Sequence, residues 1–471
     1  MAKRPYLRPA LLLSAVLIAL LCVDPARAQE VRVFSLDEAV EHAWANHPDI
    51  SLAREGILST EGQVTQARAP YFPSLNLTGS YTYNGVLPKS VLDFGDGPSP
   101  FGAQGAGDQT DPTAVPPVED PAQSAQSDVI EIEFGTRDDY RAIAQTQWSV
   151  FTWGKTANGY RQAQAGLRAA EHRLTSTRRD VALRAIQAFY GVIVSEQVVT
   201  VAERAHEQSA SRLGIVQKRL DAGVVTRLDL LRAQVGLANA NTQLIRTRNG
   251  AELARRGFAL AIGLHPSEDV SAAGALEYAP TEESLADLMA AALAGRSELK
   301  ELSEREIAAE HLARIAKAGN KPTVALTGTY TWNDTEKQDP QRTWSVGAGI
   351  SFPIFDGFAT RGRSRQAESA QRQVALNVES LRRGISLEVQ REYLSYHEAT
   401  AVLEAQQEAV AQAEEALRIA NLSFENGLIT SVELADAELA NTQTQLAQIQ
   451  ALHDTVIARA RLARATGAEL P

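Results

Sequence analysis

The sequence predicts a mainly α-helical chain that carries the strands of a membrane β-barrel, built from one helix–strand–strand–helix–helix unit written twice. Three observations predict it: an internal repeat at fixed offsets, four segments whose hydrophobic period switches from 3.6 to 2, and proline-free helical stretches of unusual length.

The N-terminal residues 1–28 read as an export signal. Lys3, Arg4 and Arg8 precede the apolar run Ala10–Val23, and Ala26-Arg27-Ala28 is a small-x-small cleavage site. That run is too short to span a bilayer, and nowhere else are 18 consecutive residues apolar. The only cysteine, Cys22, lies inside the segment; Leu21 before it argues against a lipid-attachment site. Cleavage therefore leaves no disulfide or thiol chemistry. It also removes a net +3, taking the formal charge from −11 to −14, which speaks against a nucleic-acid partner.

The repeat is visible residue by residue. Phe151, Arg161-Gln162-Ala163, Gly223 and Gly263 recur 204 residues later as Phe355, Arg365-Gln366-Ala367, Gly427 and Gly467. Earlier in each half the offset is 249, so that Pro73, Gly79, Tyr81 and Asn84 answer to Pro322, Gly328, Tyr330 and Asn333. The difference is an insertion at Gly85–Asp128, rich in Gly, Pro, Asp and Ser, which reads as an irregular loop. The halves are residues 29–280 and 281–471.

Each half opens with a helix, the first announced by the capping box Ser35-Leu36-Asp37-Glu38 and ended by Pro70 and Pro73. Strands follow at 74–84 and 141–152, and in the second half at 323–333 and 343–354. In the first of these Leu75, Leu77, Gly79, Tyr81 and Tyr83 alternate with Asn76, Thr78, Ser80, Thr82 and Asn84. One apolar face with aromatics near its ends and one small polar face describe a strand between lipid and water. A soluble sandwich would look similar in any one strand. Four strands cannot close a barrel, and an open edge in lipid leaves backbone groups unsatisfied, so other subunits must complete it. Three copies would give 12 strands, enough for an aqueous lumen, although the strand count alone does not fix the number at three.

Helical hairpins complete each half, with tips near 223 and 427. Between Pro121 and Pro266, and between Pro353 and Pro471, there is no proline. A helix over 156–220 spans about 100 Å, and its many alanines suit coiled-coil packing.

Here the chain resembles the TolC-type outer-membrane efflux proteins over nearly all of its length. The resemblance is carried by Leu36-Asp37-Glu38-Ala39-Val40 with Asn46-His47-Pro48-Asp49-Ile50, by Tyr71-Phe72-Pro73, by Phe355-Asp356-Gly357 and by the two glycine hairpins, in that order and duplicated. It implies a homotrimer with a 12-stranded barrel in outer-membrane lipid over a 12-helix periplasmic tunnel. It further implies the exit duct of a tripartite efflux or type I secretion system in a Gram-negative outer membrane. Such a duct exports small molecules or polypeptides passively, with a periplasmic adaptor (membrane fusion protein) and a proton-driven or ABC-type inner-membrane pump. The 85–128 insertion would then be an extracellular loop.

Gly223, Thr226, Gly427 and Thr430 are candidate adaptor contacts at the hairpin tips, again by resemblance. The bland reading of Thr226 with Asp229 and of Thr430 with Glu433 is two capping boxes behind two glycine turns. Asp436 lies one turn deeper than a cap needs, and Arg232 is its repeat counterpart. By resemblance Glu433 and Asp436, with Asp229, ring a periplasmic constriction; otherwise Asp436 belongs to a solvated acidic face. The resemblance fails at Phe424, where a tyrosine hydroxyl would bond across subunits, and at Ile429, where an arginine would.

Gly154-Lys155-Thr156 imitates a phosphate loop, but Ser149 stands where its first glycine should. No histidine pair has ligand spacing with a third partner and no nucleophile–base grouping emerges, so neither a metal, a cofactor nor an enzymatic activity is expected. The rival of another class, a soluble periplasmic coiled-coil scaffold or adaptor, explains the helices but not the strands.

Overall fold

A computed structural model describes residues 31–93, 129–133, 136–276, 278, 280, 283–335 and 338–468. The expected signal segment with Cys22 and most of the 85–128 insertion lie outside the described residues.

The first repeat runs β1 (Arg32–Phe34), α1 (Leu36–Asn46), α2 (Pro48–Arg68), β2 (Ser74–Tyr83), β3 (Lys89–Asp93), β4 (Val129–Glu133), β5 (Asp138–Phe151), α3 (Lys155–Asp221), α4 (Arg227–Ala261) and β6 (Val270–Ala272). The second runs α5 (Leu285–Gly295), α6 (Ser297–Lys317), β7 (Thr323–Thr335), β8 (Gln338–Ser351), α7 (Ala359–Glu425) and α8 (Ser431–Thr466). The chain divides into two compact units, one of residues up to Thr65, Asn158–Ala316 and from Arg361 on, the other of Gln66–Ala157 and Lys317–Thr360. The two repeats are therefore not separate bodies, because β5 of the first pairs with β7 of the second.

The sheet unit is an antiparallel four-stranded sheet in the order β2-β5-β7-β8. Its register places the expected apolar residues in rows across one face: Leu77 opposite Ala144, Ala144 opposite Tyr330, Tyr330 opposite Trp344. Among the described residues that face is largely open: Leu75, Leu77, Trp344, Val346 and Ile350 are each at least 75% exposed. β2 and β8 are its edges. Bounds differ from the sequence reading at all four strands, by one residue at the end of β2 and by two at the end of β7, and further at the other two. β5 runs Asp138–Phe151 rather than 141–152, and β8 runs Gln338–Ser351 rather than 343–354, its end falling short of Pro353, which has no N–H to donate.

The expectation of an irregular loop over 85–128 is corrected at its start. β3 lies inside it and pairs antiparallel with β4, Lys89 opposite Glu133 and Asp93 opposite Val129. The Gly- and Pro-rich composition of the whole segment masked two short apolar-containing runs, Ser90-Val91-Leu92 and Val129-Ile130-Glu131-Ile132.

The helical unit holds two cores that repeat each other. Ala39, Ala43, Ile50, Val181, Ala185, Val192 and Phe258 are buried in one, and Leu288, Ala292, Leu299, Ile385, Val389, Tyr396 and Leu462 in the other. Those positions are related by the same offsets of 249 and 204 found in the sequence. Phe34 and Phe189 meet Phe258 edge-on at 6.1 and 5.9 Å, which anchors β1 against α3 and α4. Helix α3 contains an 18-residue window of mean hydropathy 1.4, enough by composition to cross a membrane. Its Ile186, Phe189 and Val192 are buried in the first core, which accounts for that apolar stretch. An ion network joins the repeats: Arg464 meets Asp180 at 2.8 Å, Glu388 at 2.8 Å and Glu298 at 3.1 Å, while Arg296 meets Glu388 at 2.7 Å and Glu298 at 3.0 Å.

Candidate functional site: the helical hairpin tips

Each tip is built by the same local grammar. At the end of α3, Gly223 N–H bonds to Leu220 C=O at 2.9 Å and Val224 N–H to Arg219 C=O at 2.9 Å; at the end of α7, Gly427 bonds to Phe424 at 3.0 Å and Leu428 to Ser423 at 2.8 Å. This is the Schellman pattern, and it needs a left-handed residue, which Gly223 (φ +74°) and Gly427 (φ +73°) supply. The motif leaves Val224 and Leu428 72% and 77% exposed at the two turns. Sequence reasoning named the glycines and missed these side chains; an apolar residue straight after a C-cap glycine is the signal that marks them.

The return helices start with the expected capping boxes. Asp229 N–H donates to Thr226 Oγ1 at 3.3 Å and Thr226 N–H to Asp229 Oδ2 at 2.9 Å; the distances at Thr430 and Glu433 are 3.3 and 2.7 Å. The Thr226 hydroxyl and then its amide hold the Asp229 carboxyl below the ordinary carboxylate range, and the Thr430 amide and then its hydroxyl do the same for Glu433. Both carboxylates therefore serve the caps. Asp436 is exposed and is not part of the cap.

Two contacts that no sequence pattern announced fasten the hairpins to each other. The Arg219 guanidinium lies over the Phe424 ring, 4.2 Å from its centre, and donates to Phe424 C=O at 2.7 Å. Phe424 itself is buried with Leu417 and Leu434, and Ile429 packs against that cluster. Both departures from the familiar pattern thus sit in one small apolar core. Deeper in, Arg212 on α3 pairs with Glu438 on α8, both largely buried. Burial pushes the Glu438 carboxyl up and the Arg212 charge opposes it. A Cβ at Gly236 would come 3.1 Å from the Arg212 guanidinium, so α4 leaves room for it.

Away from the tips, a recess of about 1260 Å³ in the helical unit is lined by charges of both signs, including Arg173, Asp180, Arg184, Glu301 and Arg391. Among the described residues no group of three His, Cys, Asp or Glu side chains is placed to hold a metal ion.

The chain matches the outer membrane efflux protein family over residues 39–264 and 288–468. It is 24% identical over 336 residues to the outer membrane efflux protein BepC of Brucella suis, covering 70% of this chain and 73% of that one. To the protein CyaE of Bordetella pertussis it is 25% identical over 389 residues, 81% and 73% of the two chains. Among solved structures, the CmeC outer membrane channel of Campylobacter jejuni shares the fold with a TM-score of 0.74 at 14% identity, covering 92% of this chain and 85% of that one. The VceC outer membrane protein of Vibrio cholerae does so with a TM-score of 0.71 at 19% identity, covering 93% and 97%.

Proposed function

This chain belongs to the outer membrane efflux protein family, and from that premise we propose that three copies assemble into one duct whose periplasmic mouth is formed by the two hairpin tips. The chain is an outer-membrane channel of efflux and secretion systems, reaching into the periplasm. The soluble-scaffold alternative falls with that membership.

The observation that carries assembly is the sheet. Four strands with two free edges and an uncovered apolar face satisfy neither their backbone groups nor lipid until further strands continue the sheet. The helices add support. Leu231, Val235 and Ile245 on α4, and Leu387 and Leu394 on α7, are exposed at spacings that continue a coiled-coil seam. Three copies bring the strand count to twelve.

Val224 and Leu428, presented by Gly223 and Gly427 and flanked by the caps at Thr226 and Thr430, form the contact for a periplasmic adaptor, which couples the duct to a proton-driven or ABC-type inner-membrane pump. Asp436, with Glu433 and Asp229 beside the tips, makes the mouth acidic. The Arg219–Phe424 and Arg212–Glu438 contacts hold the second hairpin against the first and keep that mouth narrow. Measuring the mass of the purified particle together with its conductance in planar bilayers tests this reading. A trimer with low resting conductance that rises in an Arg212→Leu, Arg219→Leu double variant is expected; a monomer or dimer that conducts fully would refute it.

A further inference from the structure

Assembly and tip contacts leave the recess in the helical unit without a role. All of its lining residues belong to that one unit, on α2, α3, α6, α7 and α8. At about 1260 Å³ it exceeds the roughly 300–1,000 Å³ that enclose a drug-sized molecule. Small residues keep it open: a Cβ added at Gly56 or Gly166 would meet nothing within 4 Å. The wall is charged only in part. Leu52 lines it with 70% of its surface exposed, beside Ala53 and opposite no apolar core of its own.

Six arginines and five carboxylates line the recess, and the ion pairs sort them. Arg184 meets Asp49 at 2.5 Å, Arg305 meets Glu301 at 2.5 Å and Arg391 meets Glu392 at 2.7 Å. Arg464 takes the remaining two acids, Asp180 and Glu388, each at 2.8 Å. Four guanidiniums thus answer every lining carboxylate. Arg173 and Arg461 are left over. Both are exposed, and among the described residues neither side chain has a hydrogen-bond or ion-pair partner. The duplication did not bring them, since their repeat counterparts are Asn377 and Gly257. Arg173 stands several turns inside α3, beyond the reach of the helix dipole. The half-buried Ser395 hydroxyl on the same wall is a further donor without a partner among the described residues.

We propose that this recess binds small organic anions that bear two carboxylate or phosphate groups on an apolar body. Arg173 and Arg461 take the two anionic groups, through the charge-assisted hydrogen bonds that a guanidinium fork makes with either oxyanion. Leu52 and Ala53 take the body. The lining carboxylates oppose such a ligand little, because each already faces an arginine. As a cargo site the inference rests on the duct reading, whereas binding itself belongs to a single chain. Arg173 stands about 70 Å from the tip end of α3, several Debye lengths at 0.1 M salt, so the tip carboxylates do not govern the recess.

The test is calorimetric titration of the full chain, purified as its native assembly in a neutral detergent, with naphthalene-2,6-dicarboxylate. Detergent alone supplies the blank, and naphthalene-2,6-dimethanol is the neutral control with the same body. The native protein should bind one dicarboxylate per chain, at least about tenfold more tightly than the diol, and raising salt about tenfold should weaken it. Arg173→Gln with Arg461→Gln should raise Kd at least about tenfold. Arg246→Gln with Arg372→Gln, two exposed arginines outside the recess, should leave it unchanged. No binding by the native protein, equal affinity for the diol, equal loss in both variants, or complete displacement by inorganic phosphate at matched ionic strength would each overturn the site. So would a fall in particle mass in the Arg173, Arg461 variant, which would make these arginines contacts for a second copy. If that variant does not fold, the native preference for dicarboxylate over diol and its salt dependence decide alone. Release of the native protein by carbonate washing would instead defeat the duct reading and leave the binding result standing, so the two failures are distinct.

Discussion

Gly223 and Gly427 show how a single residue sets the tip. Their left-handed angles are cheap only for glycine, and open space surrounds both, so alanine meets backbone strain rather than a clash. Gly223→Ala or Gly427→Ala should destabilise the local turn by about 1–2 kcal/mol, read as faster amide exchange around that tip with the sheet unaffected. Thr430→Val removes the acceptor for Glu433 N–H and should cost about 1 kcal/mol, again confined to the tip. The caps also make the tips sensitive to acid. Asp229 and Glu433 have folded pKa values below their unfolded ones, so their contribution is complete above the ordinary carboxylate range and is lost as pH falls below it and through the lowered folded values. Tip amides should therefore exchange faster on acidification below that range, after correction for intrinsic rates. Thr226→Val with Thr430→Val should flatten the dependence, and an unchanged profile in that variant would remove the caps as its cause.

Helix by helix, what was legible is what repeats or has a period. The strands were readable because Leu75, Leu77, Tyr81 and Tyr83 alternate with Asn and Thr, and the register then set Leu77 in one row with Ala144, Tyr330 and Trp344. The tips were readable because glycine, threonine and acid recur at fixed spacing in both halves. Arg212–Glu438 was not, for the partners stand 226 residues apart. Their repeat counterparts, Ala416 and Gln234, are uncharged, so the duplication carries no trace of the pair. Phe424 looked like a lost hydroxyl until its ring was seen beneath Arg219. The Arg212–Glu438 pair also yields a prediction about α3 and α8. Removing one partner leaves the other buried alone, so Arg212→Leu should destabilise the helical unit by about 3 kcal/mol, whereas Arg212→Leu with Glu438→Leu should recover most of it. Thermal unfolding of the two variants checks this. Equal losses would mean that the pair acts through packing and not through charge.

For the whole molecule the proposed acidic mouth is a statement about an electric field, and it can be tested as one. In the proposed trimer Asp436, Glu433 and Asp229 are each present three times, at the starts of the two return helices. If the proposed trimer gathers these nine carboxylates around one opening, they raise the local cation concentration and exclude anions, an effect that fades as the Debye length contracts from about 10 Å at 0.1 M salt to about 3 Å at 1 M. Asp436 is the cleanest position to test, because substituting Asp229 or Glu433 also breaks a cap and confounds charge with structure. Asp436→Asn keeps size and helix context and removes three charges from the assembly. Reversal potentials across a salt gradient should shift toward zero in Asp436→Asn, with the native and variant channels converging near 1 M salt, while unitary conductance at high salt stays the same. The shift separates two placements of this residue that the fold allows. A carboxylate lining the mouth alters selectivity at low salt; one on the outer, solvated face of α8 leaves the reversal potential where it was, and the acidic-mouth reading would then be abandoned.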